Sequence, residues 1–175
     1  MRSQLSRSTS IDIGGRTKPI VSLDYIVGLT DGEGCFYINV RPPRSTGRNW
    51  VETHFYIKVR IEDQPMLEAV KTTLGCGAIY YQKETRPNHT PCCRYEVNNR
   101  KDLRENVIPL FTNHPLQSLK RNDFAIFKQV CEMIDKEEHL TPEGFQKIVS
   151  MKSKMNYRTR RVRENRSLGG NSELL

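Results

Sequence analysis

An α+β fold is predicted, with an antiparallel sheet and helices packed on one of its faces. Three observations predict it. Residues 35–41 and 54–61 each alternate apolar and polar side chains with a period of two, the pattern of a half-buried strand. Segments of helical period stand before, between and after the strand-like runs, giving the order helix, two strands, helix, two strands, helices. The length, 175 residues, suits one domain around a single core.

Taken in order, residues 1–21 are rich in Ser, Arg and Gly and show no clean period. They are expected to form a flexible arm, kept irregular by Gly14-Gly15 and Pro19. An Arg- and Ser-rich start also fits an organelle transit peptide, although no amphipathic helix supports that reading. Ser22 is a plausible N-cap, and Asp24 in the first turn suits the helix dipole, so 23–32 reads as a short helix that Gly32 and Gly34 end. In the first strand Phe36, Ile38 and Val40 face one way and Cys35, Tyr37, Asn39 and Arg41 the other. The loop 42–49 carries Arg44 and Arg48. In the second strand Phe55, Ile57, Val59 and Ile61 form the apolar face, and His54, Tyr56, Lys58 and Arg60 the polar one.

Asp63 can cap a helix that starts near Gln64-Pro65, since proline is tolerated in a first turn. Met66, Leu67, Val70 and Leu74 make its apolar stripe, and Gly75 and Gly77 stop it. Two weaker strands follow at 78–83 and 92–97, joined by a turn over 86–91. Helices are expected over 101–111, 119–136 and 142–155, with Pro109, Pro115 and Pro142 marking boundaries and Thr141 capping the last.

The chain carries a net charge of +8, which points to a polyanionic partner, either nucleic acid or an anionic membrane. No clear basic amphipathic anchor favours the membrane, and no apolar run approaches the roughly 20 residues that span a bilayer. A soluble protein inside the cell, cytoplasmic or organellar and not secreted, is expected. The five cysteines are odd in number and lack C-x-x-C spacing, which argues against a disulfide framework and a zinc site. A Gly-rich phosphate loop, a nucleophile elbow and a plausible Cys-His pair are also missing, so small-molecule enzymes fit poorly. The polar side of the sheet gathers Tyr37, Asn39, Arg41, Tyr56, Lys58, Arg60, Gln82 and Arg94. Such a face is either an ordinary solvated sheet surface or one that meets base edges and phosphates in a major groove.

The end of the first helix, Ile26-Val27-Gly28-Leu29-Thr30-Asp31-Gly32-Glu33-Gly34, is informative. Gly28 and Gly32 lie four apart and share one helix face. A glycine in a helix interior costs roughly 1 kcal/mol relative to alanine, so Gly28 suggests close backbone approach to a partner helix, as in two copies packed about a two-fold axis. Asp31 and Glu33 stand at the acidic end, where the dipole disfavours them and a bound cation would offset that. Carboxylate oxygen suits Mg2+, and Glu33 shares strand parity with Tyr37, Asn39 and Arg41. An isolated acid after a helix is also commonly just solvated. Asp31 reads as structural, helping to hold the helix pair.

These nine residues resemble the motif of the LAGLIDADG homing endonucleases. Gly28, Leu29, Asp31 and Gly34 match it directly, while Ile26, Val27, Thr30, Gly32 and Glu33 are substitutions that the family accommodates. Asn113-His114-Pro115-Leu116, Lys120 to Phe124, and Leu140 to Phe145 leading to Met155-Asn156 resemble later segments, so the likeness covers roughly 22–157. It implies an αββαββα unit with a saddle-shaped sheet that reads long sites in double-stranded DNA. It implies a homodimer, since only one motif copy is present, with Gly28, Leu29, Asp31 and Gly32 at the helix contact. It implies double-strand cleavage at a near-palindromic target, with Mg2+ held by Glu33 and the Gly32 carbonyl. Mn2+ is expected to substitute, and Ca2+ to support binding without efficient cleavage. Lys120 lies where the family often places an active-site lysine, with Arg121 one step away. Ile61 stands where some members carry a polar residue that orients water; either Arg60 or Glu62 takes over or the water network differs, so the water-activating group is unassigned. An intron-encoded protein that acts in intron homing is implied. The family also contains non-cleaving binders, RNA maturases among them. Residues 158–175 form a basic tail that either follows DNA or stays solvated.

Overall fold

The computed structural model describes residues 10–13, 16–41, 47, 49–82 and 90–155. The elements run β1 (Ser10–Ile13), β2 (Arg16–Pro19), α1 (Leu23–Glu33), β3 (Gly34–Arg41), β4 (Trp50–Arg60), α2 (Gln64–Leu74), β5 (Ala78–Gln82), β6 (Cys92–Val97), α3 (Arg100–Asp102), α4 (Ile108–Asn113), α5 (Lys120–Asp135) and α6 (Pro142–Ser153). β3 to β6 form one antiparallel sheet in the order β3-β4-β6-β5. This is the predicted α+β architecture, and the helices bury their apolar stripes against one face of the sheet.

Alternation in β3 and β4 builds the core. Phe36, Ile38, Phe55 and Ile57 are at most 2% exposed, whereas Tyr37 on the opposite parity is 42% exposed. Phe36 sits at the centre, its ring centroid 5.2–5.4 Å from those of Phe55, Phe111, Phe124 and Phe127. One strand residue thereby joins β4, α4 and α5, and such aromatic contacts, stacked on Phe55 and edge-to-face with Phe111, add to the area they bury.

α1 starts as its sequence indicates, with the Ser22 hydroxyl accepting from the Tyr25 N–H at 3.1 Å. It passes directly into β3 at Gly34, whose N–H still donates to the Thr30 carbonyl. A Cβ at Gly34 would stand 2.5 Å from Thr30 Cγ2 and 2.8 Å from Thr30 Cα, so glycine is required by close approach. α2 ends at Gly75 in the left-handed conformation, φ 67°, which closes the helix without a Cβ penalty.

Several expectations change. Residues 10–19, read as an irregular arm, contain the antiparallel hairpin β1–β2, which pairs Ile13 with Arg16. Gly14-Gly15 falls between those two residues in sequence, and a Gly-Gly pair is a hairpin signal. β4 ends at Arg60, and Ile61, expected on its apolar face, enters a 3₁₀ turn, Ile61–Asp63, where it is 37% exposed. Pro109 stands at the second residue of α4, but the run predicted as one helix is interrupted before it by a π turn, Leu103–Val107, that links α3 to α4. Proline lacks the N–H for an i−4 bond and its ring crowds that carbonyl, and a widened turn relieves both. Asp63, expected as the α2 cap, makes no capping bond with its side chain.

Candidate nucleic-acid interface and acidic centre

The antiparallel registers decide which polar side chains stand together. Cys35 faces Tyr56, Tyr37 faces His54, Asn39 faces Glu52 and Arg41 faces Trp50 across β3 and β4. Tyr56, Lys58 and Arg60 face Glu96, Arg94 and Cys92 across β4 and β6. β5 adds Tyr80 opposite Arg94 and Gln82 opposite Cys92. The predicted residues Tyr37, Asn39, Arg41, Tyr56, Lys58, Arg60, Gln82 and Arg94 therefore share the face away from the core. Arg44, Arg48 and the basic tail lie outside the described residues.

Sequence reasoning left out Trp50, 57% exposed, Tyr80, 48% exposed, and the acids Glu52 and Glu96. Strand parity was the signal for all four. The acids organise the face. Glu52 accepts from Asn39 Nδ2 at 2.8 Å and pairs with Arg41 at 3.1 Å. Hydrogen bonds from Trp50 and Asn39, then the Arg41 charge, hold its carboxyl below the usual range. Glu96 lies between His54 and Arg94, and the Arg94 guanidinium stands 5.1 Å from the centroid of the Tyr56 ring. Burial, followed by a hydrogen bond with Cys35, pushes the Tyr56 hydroxyl well above its ordinary value, so it stays protonated.

At one end of this face α1 delivers its acidic terminus. Glu33 is exposed and lines a cleft of about 580 Å³ together with Lys58, Arg60 and Asp63. Beside it Lys120 reaches from the first turn of α5, its Nζ donating to the carbonyls of Thr30 at 2.7 Å, Asp31 at 3.1 Å and Gly32 at 3.4 Å. These carbonyls are the negative end of the α1 dipole. Burial draws the Lys120 ammonium below its ordinary pKa, while Cys35, Asp31, Glu33 and Asp123 oppose that shift. Arg121 is exposed on the next position.

Asp31 was expected at the contact between paired helices, but both its oxygens are engaged within the chain. They accept from the Gln117 N–H at 2.8 Å, the Ser118 N–H at 3.1 Å and the Ser118 hydroxyl at 2.6 Å. The Ser118 hydroxyl in turn accepts from the Lys120 N–H at 3.1 Å. Asp31 thus ties the end of α1 to the start of α5 and sets where Lys120 stands. Gly28 and Gly32 lie on the outer side of α1, where a Cβ on either would meet no atom of the described residues within 4 Å, and Leu29 is half-buried beside them.

The donor set suits a hard divalent cation: a carboxylate from Glu33 and a backbone carbonyl from Gly32, both oxygen. The Lys120 ammonium sits against the last α1 carbonyls, Gly32 among them at 3.4 Å. Among the described residues no group of three or more His, Cys, Asp and Glu side chains is gathered for a metal. Mg2+ is usually held by one or two carboxylates with substrate phosphates completing its shell, so a sparse protein donor set fits that ion. Among the described residues no helix is long and apolar enough to cross a membrane.

A sequence model described as LAGLIDADG endonuclease matches residues 26–131. The chain is 32% identical over 131 residues to "Probable intron-encoded endonuclease 3" of Neurospora crassa, covering 74% of this chain and 24% of that one. It is 36% identical over 103 residues to "Probable intron-encoded DNA endonuclease 1" of Mycosarcoma maydis, covering 58% and 34%. The chain thus spans roughly a quarter to a third of the curated relatives it matches. Among solved structures, the homing endonuclease I-TnaI aligns with a TM-score of 0.68 at 34% identity, over 83% of this chain and 98% of that one. I-SmaMI bound to an uncleaved DNA target in the presence of calcium ions aligns with a TM-score of 0.69 at 26% identity, over 77% and 45%.

Proposed function

The chain belongs to the LAGLIDADG endonuclease family, and on that premise we propose that it is an intron-encoded homing endonuclease that cuts both strands of a long, near-palindromic DNA site as a homodimer. The observation that carries this reading is the position of Glu33. The acid lies where α1 passes into β3, in one cleft with Lys58 and Arg60, at the end of a basic and aromatic sheet face. That arrangement supports a metal-binding role for the Glu33 carboxylate, beside cations suited to phosphate.

The homodimer is supported by the outer side of α1. Gly28 and Gly32 each weaken the helix, yet among the described residues nothing occupies the space a side chain would take. A second α1 packed there on Gly28, Leu29 and Gly32 would explain both glycines and bring two Glu33 carboxylates together. Residues 22–157 would form the folded endonuclease unit, with the basic tail at 158–175 adding contacts to DNA.

Glu33 and the Gly32 carbonyl would hold the divalent cation. Such an ion supplies Lewis-acid polarisation of the scissile phosphate when bound. Lys58 and Arg60 orient the phosphate within the cleft. Lys120, fixed by three carbonyls and by the Asp31–Ser118 tie, supplies positive charge where negative charge develops. Ile61 has no group that can orient water, and Arg60 is the neighbouring polar side chain that lines the cleft.

Purified protein and Glu33→Gln would be incubated with a pooled DNA library containing candidate sites, in Mg2+, Mn2+ or Ca2+. Site-specific double-strand cuts by the wild type in Mg2+ or Mn2+ alone, with binding retained in Ca2+ and in the variant, are expected. Tight, salt-sensitive binding with no cutting by either protein would overturn cleavage and leave a non-cleaving nucleic-acid binder, either a maturase or a regulator.

A further inference from the structure

On a face suited to a polyanion, a buried carboxylate has the wrong sign. Glu96 belongs to the open side of β6, yet its side chain is only 5% exposed. Its Oε1 lies 2.5 Å from His54 Nδ1, and its Oε2 lies 2.6 Å from Arg94 Nη2 as an ion pair that departs from hydrogen-bond geometry. Tyr56, opposite Glu96 in the register, lies beneath the Arg94 guanidinium and is itself held by Cys35. The His54 ring is 5.9 Å from that of Tyr37. Three strands therefore meet in one locked row.

Taking a carboxylate out of water is costly unless it is paired. A negative charge beside DNA also subtracts from the attraction to phosphates. Glu96 thus serves neither apolar packing nor affinity, and what its two contacts do is fix direction. Glu96 stands as an ion pair beside one Arg94 nitrogen and Tyr56 lies against one face of the guanidinium, leaving the other donors to a bidentate acceptor such as guanine O6 and N7. A carboxylate only accepts, so the proton on His54 Nδ1 faces it. In the neutral ring Nε2 is then an acceptor, matched to the amino group of cytosine or adenine.

We propose that Glu96 is a positioning residue for base readout, holding Arg94 and His54 in the orientation that discriminates the base pairs they face. This rests on the DNA-binding reading above. Binding sites would be selected from a randomised double-stranded DNA pool in Ca2+. Affinity for every single-base variant of the selected site would then be measured for wild type, Glu96→Gln, Arg94→Ala, His54→Ala and the double variant Glu96→Gln/Arg94→Ala.

Glu96→Gln is expected to lose about ten-fold discrimination at the base pairs affected by Arg94→Ala and His54→Ala and at no others. Its affinity for random-sequence DNA should stay level or rise, because a negative charge leaves the face. The double variant should lose nothing further at the Arg94 base pair. An unchanged profile, or a uniform weakening at every position, would overturn the proposal. Should Glu96→Gln fail to fold, Arg94→Lys keeps the charge without the fork, and full discrimination by that variant would overturn it equally. Wild-type protein that enriches no sequence and binds no DNA would instead refute the DNA-binding reading, and this inference with it.

Discussion

Replacing Asp31 by alanine separates two roles that a motif aspartate can have. The carboxylate accepts three hydrogen bonds from Gln117 and Ser118, across more than 80 residues of sequence. A bond to a charged group contributes roughly 1.5–3 kcal/mol. Asp31 is half-buried and the three share one side chain, so the low end applies and the sum is discounted, giving about 3 kcal/mol for Asp31→Ala. Asp31→Asn keeps one acceptor and should cost about half of that. Urea unfolding followed by circular dichroism measures both. The wild type also carries a pH signature. Burial works to raise the Asp31 carboxyl, but the hydrogen bonds from Ser118 and Gln117 and the Lys120 charge outweigh it, leaving the pKa below its ordinary value. Its contribution is therefore fully present above the unfolded-state value and is lost as pH falls through the lower folded-state value. The stability gap between wild type and Asp31→Asn should hold steady at neutral pH and close only in strong acid. A loss below about 1 kcal/mol, or a loss that depends on protein concentration, would refute the in-chain tie and return Asp31 to a contact between subunits.

Three further outcomes are expected. Lys120→Met should reduce cleavage by roughly 10²–10³-fold, the effect of removing one preorganised charge-stabilising group, and should also lower the urea midpoint, because the α1 carbonyls of Thr30, Asp31 and Gly32 lose the ammonium that bonds them. Gly34→Ala should cost about 1–3 kcal/mol by overpacking, since its new Cβ meets Thr30 backbone, and should weaken Mg2+ binding measured by calorimetry because Glu33 is the adjacent residue. Alkylation of the native protein near pH 8, mapped by mass spectrometry, should modify Cys35 and Cys92, which are half-exposed, and spare Cys93 and Cys131. Burial pushes the Cys131 thiol up to about 12, and all five should react after unfolding.

Much of the fold was legible because it rests on local period. Alternation located β3 and β4, Ser22 marked the start of α1, and the apolar stripes placed α2, α5 and α6 within a few residues. The hairpin at 10–19 was missed because Ser and Arg obscure its short strands, although Gly14-Gly15 was in plain view. The π turn was missed because a widened turn leaves no signature in local period, and its buried residues, Leu103 and Val107, pack on partners far along the chain. For the site, parity assigned side chains to the open face correctly but said nothing about neighbours across strands. Whether Asn39 meets Glu52, or Tyr56 meets Glu96, depends on register, which the loop lengths and packing settle together. The contact between Asp31 and Ser118 is longer in range still, and no periodicity encodes it.

Parity also explains how one short chain carries a core and a recognition surface without letting either compromise the other. In β3 and β4 every second residue is committed to packing around Phe36, and the residues between are left to vary with the partner. A one-residue slip would exchange the two sets, placing Tyr37 and Lys58 inside and Phe36 and Ile57 in water. Gly34 prevents this at the start of β3. It is buried, its N–H remains bonded to Thr30, and close contact with that backbone leaves it no room to turn outward. Holding Gly34 inward places Glu33 at the mouth of the cleft and Cys35 at the foot of the open face. The tight junction that begins the sheet therefore also aims the acid, and substitutions there should couple stability to chemistry. Changes at Tyr37, Asn39 or Lys58 should alter binding while leaving the fold intact.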